Sequence, residues 1–195
     1  MRLWTIQPEP LYDQLRQEGV IYAEFARSPY ADWDDFHQAY DWLVAQMRMR
    51  VGAPPAGVTY LIWAWHTLNW QHKKPDLRAA EFRNYSDPSV CLELELPDSQ
   101  VLLSDQENWH AVLNQWYVGD AKNEAVMTAE DAWLDARSVE EALALKQRSW
   151  TRIFCVTPFD DAWQRRGCYV QATFWALRLA DVRTVRRFHW SPLRH

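Results

Sequence analysis

The sequence contains few of the residues that build phosphate-binding loops. Glycine accounts for only 5 of the 195 residues, and no Gly-rich loop of the P-loop or dinucleotide-binding type occurs. The G-x-S-x-G nucleophile elbow, the H-E-x-x-H metal pair and the set of protein-kinase motifs are also missing. These absences exclude a Rossmann or P-loop enzyme.

Cysteine and histidine show no spacing that is typical of a metal centre. The 3 cysteines, Cys91, Cys155 and Cys168, form no C-x-x-C pair and are typical of free thiols in a reducing compartment. His66 and His72 lie six residues apart across a predicted loop, and their spacing is not that of a recognisable pair of zinc ligands. No metal cofactor is therefore predicted.

Long apolar runs and an overall excess of positive charge are absent too. No stretch approaches the roughly 18 apolar residues of a membrane-spanning helix, and residues 1–9 lack the apolar segment of a signal peptide. We therefore expect a cytoplasmic protein with no membrane partner. The net charge of −5 opposes a general nucleic-acid binder, although a local basic patch stays compatible with it.

One basic cluster lies near the C-terminus of this acidic chain. Its members are Arg178, Arg183, Arg186, Arg187 and Arg194. Two interpretations stay open for it: it meets an anionic partner, or it offsets nearby acidic residues. Those acidic residues are Glu130, Asp131, Asp135, Glu140 and Glu141.

Tryptophan is the residue that the chain has in excess, with 13 copies. The composition, 48% hydrophobic and 24% charged, is that of an ordinary globular protein, and the length fits a single domain over residues 1–195. Five tryptophans lie on or beside predicted strands, which raises the question of whether they surround a pocket. They are Trp4, Trp63, Trp65, Trp70 and Trp175.

The first part of the chain follows a β-α-β pattern. An apolar run at residues 3–6 predicts a strand, Pro8 and Pro10 favour a helix start, and Gly19 favours a helix end. Residues 20–25 predict the second strand. Apolar residues at helical spacing then predict a helix over residues 36–47, and residues 58–65 predict a buried strand.

The second part mixes strands and short helices. Residues 66–89 form a long polar segment, here called the excursion, and alternation over residues 90–96 predicts a half-buried strand. Capping patterns predict helices that begin near Ser104, Thr128 and Ser138. Short strands are predicted at residues 153–156, 169–179 and 182–188, the last two as a C-terminal β pair. The order predicts an α+β fold in one domain, with a central mixed or antiparallel sheet and flanking short helices.

Tryptophans and polar residues on strands are the candidates for a ligand site. Trp63 and Trp65 point the same way on a strand, so they form either a stacking platform for a flat ligand or two core side chains. Gln171 and Thr173 interrupt an apolar strand and share a face with Trp175. They either face a ligand, face solvent or make structural hydrogen bonds.

The excursion adds a cationic and aromatic group of residues. Arg83 is suited to phosphate recognition, although charged loops are often simply solvated. The resulting candidate site lies between the central sheet and the excursion. Its predicted ligand-binding residues are Trp4, Trp63, Trp65, His66, Arg83, Gln171, Thr173 and Trp175.

Several phrases of the sequence together carry a resemblance to a known family. They are Leu3-Trp4-Thr5-Ile6-Gln7, Ala39-Tyr40-Asp41-Trp42, Ile62-Trp63-Ala64-Trp65, Leu102-Leu103-Ser104-Asp105 and Val170-Gln171-Ala172-Thr173-Phe174-Trp175. The set resembles a family of uncharacterised bacterial proteins of about this length, over nearly the whole chain. That resemblance implies no activity.

A second resemblance concerns architecture alone. The β-α-β opening, followed late in the chain by Asp181-Val182-Arg183-Thr184-Val185, is similar in outline to small bacterial ADP-ribosyltransferases. That fold implies that a first-strand Arg or His helps to hold NAD and that a late strand carries a catalytic Glu. Here the first strand offers Trp4 and Thr5, and the late strand offers Gln171. Because Gln cannot act as the carboxylate, the resemblance implies a non-catalytic nucleotide-binding version, with NAD as a candidate ligand.

Three hypotheses about function follow, and they leave open whether the protein is an enzyme. The first is a domain that binds a nucleotide-type ligand, with tryptophans that stack and Arg83 that meets phosphate. The second is a small RNA- or DNA-binding module. The third is a protein-interaction component, such as half of a toxin–antitoxin or defence pair, in which exposed tryptophans act as hot spots.

Overall fold

The computed structural model describes residues 1–24, 34–82, 85 and 87–189. This part of the chain contains ten strands and five helices. The strands are β1 (Arg2–Pro8), β2 (Val20–Ile21), β3 (Ile62–Thr67), β4 (Ser89–Glu95), β5 (Leu102–Asp105), β6 (Phe159–Asp160), β7 (Arg165–Arg166), β8 (Val170–Phe174), β9 (Leu177–Arg178) and β10 (Val182–Phe188). The helices are α1 (Glu9–Glu18), α2 (Asp34–Arg50), α3 (Gln106–Leu113), α4 (Glu124–Asp135) and α5 (Val139–Ser149). The predicted α+β fold class is confirmed.

The central sheet is antiparallel throughout. Six strands form it in the order β10-β4-β1-β3-β8-β5, and every neighbouring pair runs antiparallel. Two further pairs, β2 with β9 and β6 with β7, lie outside it. β1 and β3 therefore occupy the middle of the sheet, and they pair at a single register position, Trp4 opposite Trp65.

The β-α-β opening is present, with a shorter second strand than predicted. α1 has Pro10 in its first turn and ends at Gly19. Gly19 has a φ of +77°, a conformation that costs glycine little, and its N–H donates to the carbonyl of Leu15 at 2.8 Å. β2 covers only Val20–Ile21, because it pairs with the equally short β9 and not with the central sheet; residue 25 lies outside the described residues.

The two C-terminal strands are present but are not neighbours. The segment predicted as one strand over residues 169–179 divides into β8 and β9. β9 pairs with β2, and a 3-10 turn, Leu179–Asp181, then leads into β10. As a result β8 lies between β3 and β5, whereas β10 is the edge strand beside β4.

Both faces of the sheet are covered, and each carries its own core. On one face Leu3, Leu92 and Phe174 pack with Leu15 of α1 and with Leu177. On the other face the core contains α2 and α3 side chains, buried Trp150 and Leu102 of β5. β4 is therefore not the half-buried strand that alternation predicts, since Cys91 is 1% exposed on the face predicted to meet solvent.

Some helix starts differ from their predicted positions. Asp105, and not Ser104, caps α3, because Ser104 is already paired with Gln171 in the sheet. α4 is capped by Asn123 and begins before Thr128, which lies inside the helix. The Ser138 capping box of α5 is confirmed. Residues 153–156, predicted as a strand, fall largely in a 3-10 helix, Trp150–Phe154.

Candidate ligand-binding site

Five of the predicted site residues lie on one face of the sheet. Trp4 is opposite Trp65, and Trp65 is opposite Gln171. Trp63 is opposite Thr173, two residues away from the Trp65–Gln171 pair on each strand. Because side chains alternate between faces along a strand, these register positions bring all five side chains to the same side of the sheet.

Trp4 is enclosed on that face. It is 3% exposed, its Nε1 donates to Glu93 Oε2 at 3.4 Å, and the ring of His72 packs over it with centroids 5.3 Å apart. The excursion therefore covers Trp4, and the indole has no open face to offer a ligand.

His66 lies at an irregularity in β3, where the register with β8 shifts between Trp65 and Thr67. Its Nδ1 is 2.9 Å from Thr67 Oγ1, and its ring centroid is 4.1 Å from that of His72. Burial, and then the neighbouring His72, lower the pKa of His66 from 6.5 to about 4. Among the described residues no group of three or more His, Cys, Asp or Glu side chains is arranged to hold a metal ion.

Trp63 and Trp65 do not form one continuous platform. Trp63 packs towards the helices, against Tyr40 at 6.3 Å and Trp109 at 5.3 Å between ring centroids. Trp65 instead meets Tyr169 in an edge contact at 6.4 Å. Both indoles are half-buried, and the Trp63 N–H is buried without a hydrogen-bond partner among the described residues.

Thr173 and Trp175 are core residues with internal partners. Thr173 is 1% exposed and its hydroxyl donates to the carbonyl of Leu102 at 3.3 Å. Trp175 is 7% exposed and donates to the carbonyl of Gly52 at 3.1 Å. Each therefore makes the structural hydrogen bond that was the alternative to a ligand contact.

Gln171 presents a different case. Its side chain is half-buried and lies opposite Ser104. In the described part of the chain neither Gln171 Oε1 nor Ser104 Oγ, both buried, has a hydrogen-bond partner. Unsatisfied buried polar atoms cost free energy. The hydrogen bonds of the described residues do not account for these two oxygens.

Arg83 lies outside the described residues, but its surroundings in the sequence are described. Phe82 is 2% exposed, and Tyr85 contacts Phe188 with ring centroids 5.7 Å apart. Pro75 is also buried, and its carbonyl accepts from Arg186 at 3.0 Å. The excursion is therefore packed onto the sheet on both sides of its 3-10 turn at Ala80–Phe82.

Three of the C-terminal arginines, Arg183, Arg186 and Arg187, make hydrogen bonds or ion pairs within the chain. Arg183 pairs with Glu95 at 3.1 Å, and Arg187 pairs with Glu9. These partners lie on β4 and at the start of α1, and none belongs to the acidic residues of α4 and α5 that the sequence suggested. Arg194 lies outside the described residues.

β1 and β3 separate after their one paired position, and side chains link them there. The hydroxyl of Thr5 donates to the main-chain carbonyl of Trp63 at 2.7 Å. Gln7 Nε2 in turn donates to Thr5 Oγ1 at 2.8 Å. Side-chain hydrogen bonds thus replace the backbone ladder between the two central strands.

A cavity of about 560 Å³ opens at this separation. Its described lining comes from both sides of the sheet, with Ile62 and Leu177 on one side and Trp63 on the other. Five aromatic side chains take part: Tyr22, Tyr40, Tyr60, Trp63 and Tyr85. The polar side chains of the described lining are Gln7 and Glu24, in addition to the tyrosine hydroxyls.

Of the predicted site residues that the structure describes, Trp63 is the one that lines this cavity. The tyrosines were missed because they belong to separate segments: Tyr22 follows β2, Tyr40 lies in α2 and Tyr85 lies in the excursion. Gln7 was within reach of sequence reasoning, as the one polar amide at the end of an apolar first strand.

The fold and the cavity define an α+β domain whose antiparallel sheet separates at its centre around an aromatic-lined opening. The chain belongs to the family described as Domain of unknown function (DUF3841), whose model matches residues 2–183. No curated protein and no solved structure matches the chain. Within the described ranges, none of the helices has the length and apolar character needed to cross a membrane.

Proposed function

We propose that the cavity between β1 and β3 binds a nucleotide-type ligand through its base. The observation that carries the proposal is the convergence of five aromatic side chains on one opening of about 560 Å³. Small-molecule sites commonly measure about 300–1,000 Å³ and combine apolar walls with a few polar groups. A base stacked on such walls gains roughly 1–3 kcal/mol for each aromatic contact.

The polar groups of the site have distinct roles in this proposal. Gln7 and Glu24 read the polar edge of the base. Arg83 meets phosphate, which its position two residues before the lining residue Tyr85 supports. NAD belongs to the ligands to be tested because of the architectural likeness to ADP-ribosyltransferases. The proposed site keeps Trp63 and Arg83 and leaves out Trp4, Thr173 and Trp175, which are enclosed and bonded internally.

The proposal is tested by calorimetric titration with adenosine, AMP, ATP and NAD. Tyr22→Ala is the informative variant, because Tyr22 lines the cavity and is 41% exposed, so its removal leaves the core intact. We expect roughly tenfold weaker binding, which corresponds to the loss of one stacking contact. Trp116→Ala is the matched control, because Trp116 is 62% exposed and is absent from the described cavity lining.

The outcomes separate the hypotheses. Arg83→Ala is expected to weaken the binding of AMP and ATP and to leave the binding of adenosine unchanged, because adenosine carries no phosphate. Binding of short RNA with a steep salt dependence, in preference to mononucleotides, indicates a nucleic-acid module instead. The proposal fails if none of the small ligands binds at millimolar concentration, or if Tyr22→Ala binds them as well as the unaltered protein.

A further inference from the structure

A directed chain of hydrogen bonds ends at the cavity. It starts at the main-chain carbonyl of Trp63, which lies 2.7 Å from Thr5 Oγ1. A carbonyl oxygen can only accept, and a threonine hydroxyl has a single hydrogen. Thr5, which is 1% exposed, must therefore point that hydrogen at Trp63.

This assignment fixes the orientation of the Gln7 amide. Thr5 Oγ1 has no hydrogen left, so it can only accept from Gln7, whose nitrogen Nε2 is 2.8 Å away. The opposite amide orientation would place two oxygen acceptors against each other without a hydrogen between them. Gln7 lines the cavity and is half-buried, and Oε1 is the acceptor that its side chain has left for a ligand.

We infer that Gln7 makes the site selective for bases that present an N–H donor, such as the exocyclic amine of a 6-aminopurine, and that Thr5 positions the Gln7 amide for this contact. The inference deepens the proposed function and rests on it. A base without the amine leaves Oε1 facing it without a donor once water is displaced, and a site built around a hydrogen bond discriminates against a ligand that cannot make it.

The test compares adenosine with purine riboside, which differs from adenosine only in lacking the 6-amino group. By calorimetric titration we expect the unaltered protein to bind adenosine roughly three- to tenfold more tightly, the range of one neutral hydrogen bond. Gln7→Met replaces the amide with an unbranched apolar side chain. It is expected to bring the ratio of the two affinities close to one while purine riboside still binds.

Thr5 is tested as a positioning residue through the same ratio. Thr5→Val removes the hydroxyl and releases the Gln7 amide to turn, so the preference for adenosine is expected to fall. Thr5→Ser restores a hydroxyl and is expected to restore the preference. A general loss of structure would weaken the binding of both ligands together and would not change the ratio of their affinities. Thermal melting of each variant identifies such a loss.

Failure of this inference can be distinguished from failure of the proposed function. If adenosine and purine riboside bind the unaltered protein equally well, the inference is overturned while the proposed function stands. An unchanged preference in Gln7→Met also overturns it and shifts the selectivity to another lining group such as Glu24. If neither nucleoside binds at all, the proposed function fails and the inference falls with it.

Discussion

At the scale of single residues, Asp105 caps α3 and also accepts a hydrogen bond from a distant turn. It is 1% exposed. Its Oδ1 accepts from the N–H of Asn108 at 3.0 Å, and its Oδ2 accepts from the N–H of Gly167 at 2.6 Å. Gly167 has a φ of +82°, and a Cβ there would lie 2.8 Å from the carbonyl oxygen of Val156. One carboxylate thus joins the start of α3 to a turn that accepts only glycine.

Both carboxylate oxygens of Asp105 are needed as acceptors, although burial raises the pKa of this carboxyl against the opposing effect of the hydrogen bonds. Asp105→Asn keeps the size of the side chain but turns one acceptor into a donor. We expect a loss of about 1–3 kcal/mol in the free energy of unfolding, because one buried N–H loses its partner. Urea unfolding measures this loss, and exposed Asp131→Asn is the control. Equal urea midpoints for the two variants would show that the hydrogen bonds accepted by Asp105 contribute nothing to stability.

At the scale of elements, α5 has a capped start and leads at its other end into the core. The Ser138 Oγ accepts from the N–H of Glu141 at 3.3 Å, and Glu141 accepts in return from the N–H of Ser138 at 3.1 Å. The other end of α5 leads into Trp150, which is fully buried and donates to the carbonyl of Trp116 at 2.8 Å. The capping box therefore fixes the start of a helix whose other end leads into the helical side of the core.

Two substitutions compare the capping pattern that the structure confirms with the one that it does not. Ser138→Ala is expected to lower the free energy of unfolding by about 1 kcal/mol, the usual value of a lost N-cap. Thr128→Ala is expected to be neutral or slightly stabilising, since Thr128 lies inside α4 and alanine favours helix interiors. Chemical unfolding followed by circular dichroism checks both. A larger loss of unfolding free energy for Thr128→Ala than for Ser138→Ala would contradict the observed start of α4.

At the scale of the whole molecule, the excursion closes one half of a sheet face and the helices close the other. His66 lies where the excursion covers the sheet, next to His72 and Trp4. Its pKa falls from 6.5 to about 4 in the folded protein. Below pH 6.5 the unfolded chain therefore binds a proton that the folded protein does not, so stability decreases as the pH falls from about 6.5 towards 4.

This pH dependence can be measured by urea unfolding between pH 7 and pH 4.5. His66→Gln removes the titrating group. Between pH 7 and pH 4.5 we expect the free energy of unfolding of this variant to fall by about 1 kcal/mol less than that of the unaltered protein, after allowance for the screening of a half-exposed ring by solvent. His110→Gln, on the exposed side of α3, is expected to follow the unaltered protein. Parallel pH profiles for all three proteins would show that burial of His66 carries no such cost.

The candidate site was only partly predictable for a physical reason. Sequence periodicity places Trp63 and Trp65 on one face of their strand, because strand alternation is a local property. It does not reveal that Trp63 packs against α2 and α3 while Trp65 meets Tyr169, since those contacts depend on what covers each half of the sheet. The tyrosines of the cavity, such as Tyr22 and Tyr85, give no shared signal because they come from unrelated segments.

The sequence by itself determined the features that depend on neighbours along the chain. These are the α+β class, the end of α1 at Gly19 and the capping box at Ser138. Only the tertiary structure decided the order of the strands, the separation of β8 from β10 and the opening between β1 and β3. Strand pairing joins residues far apart in sequence, and its free energy depends on the packing of both faces, so no local pattern encodes where a sheet separates.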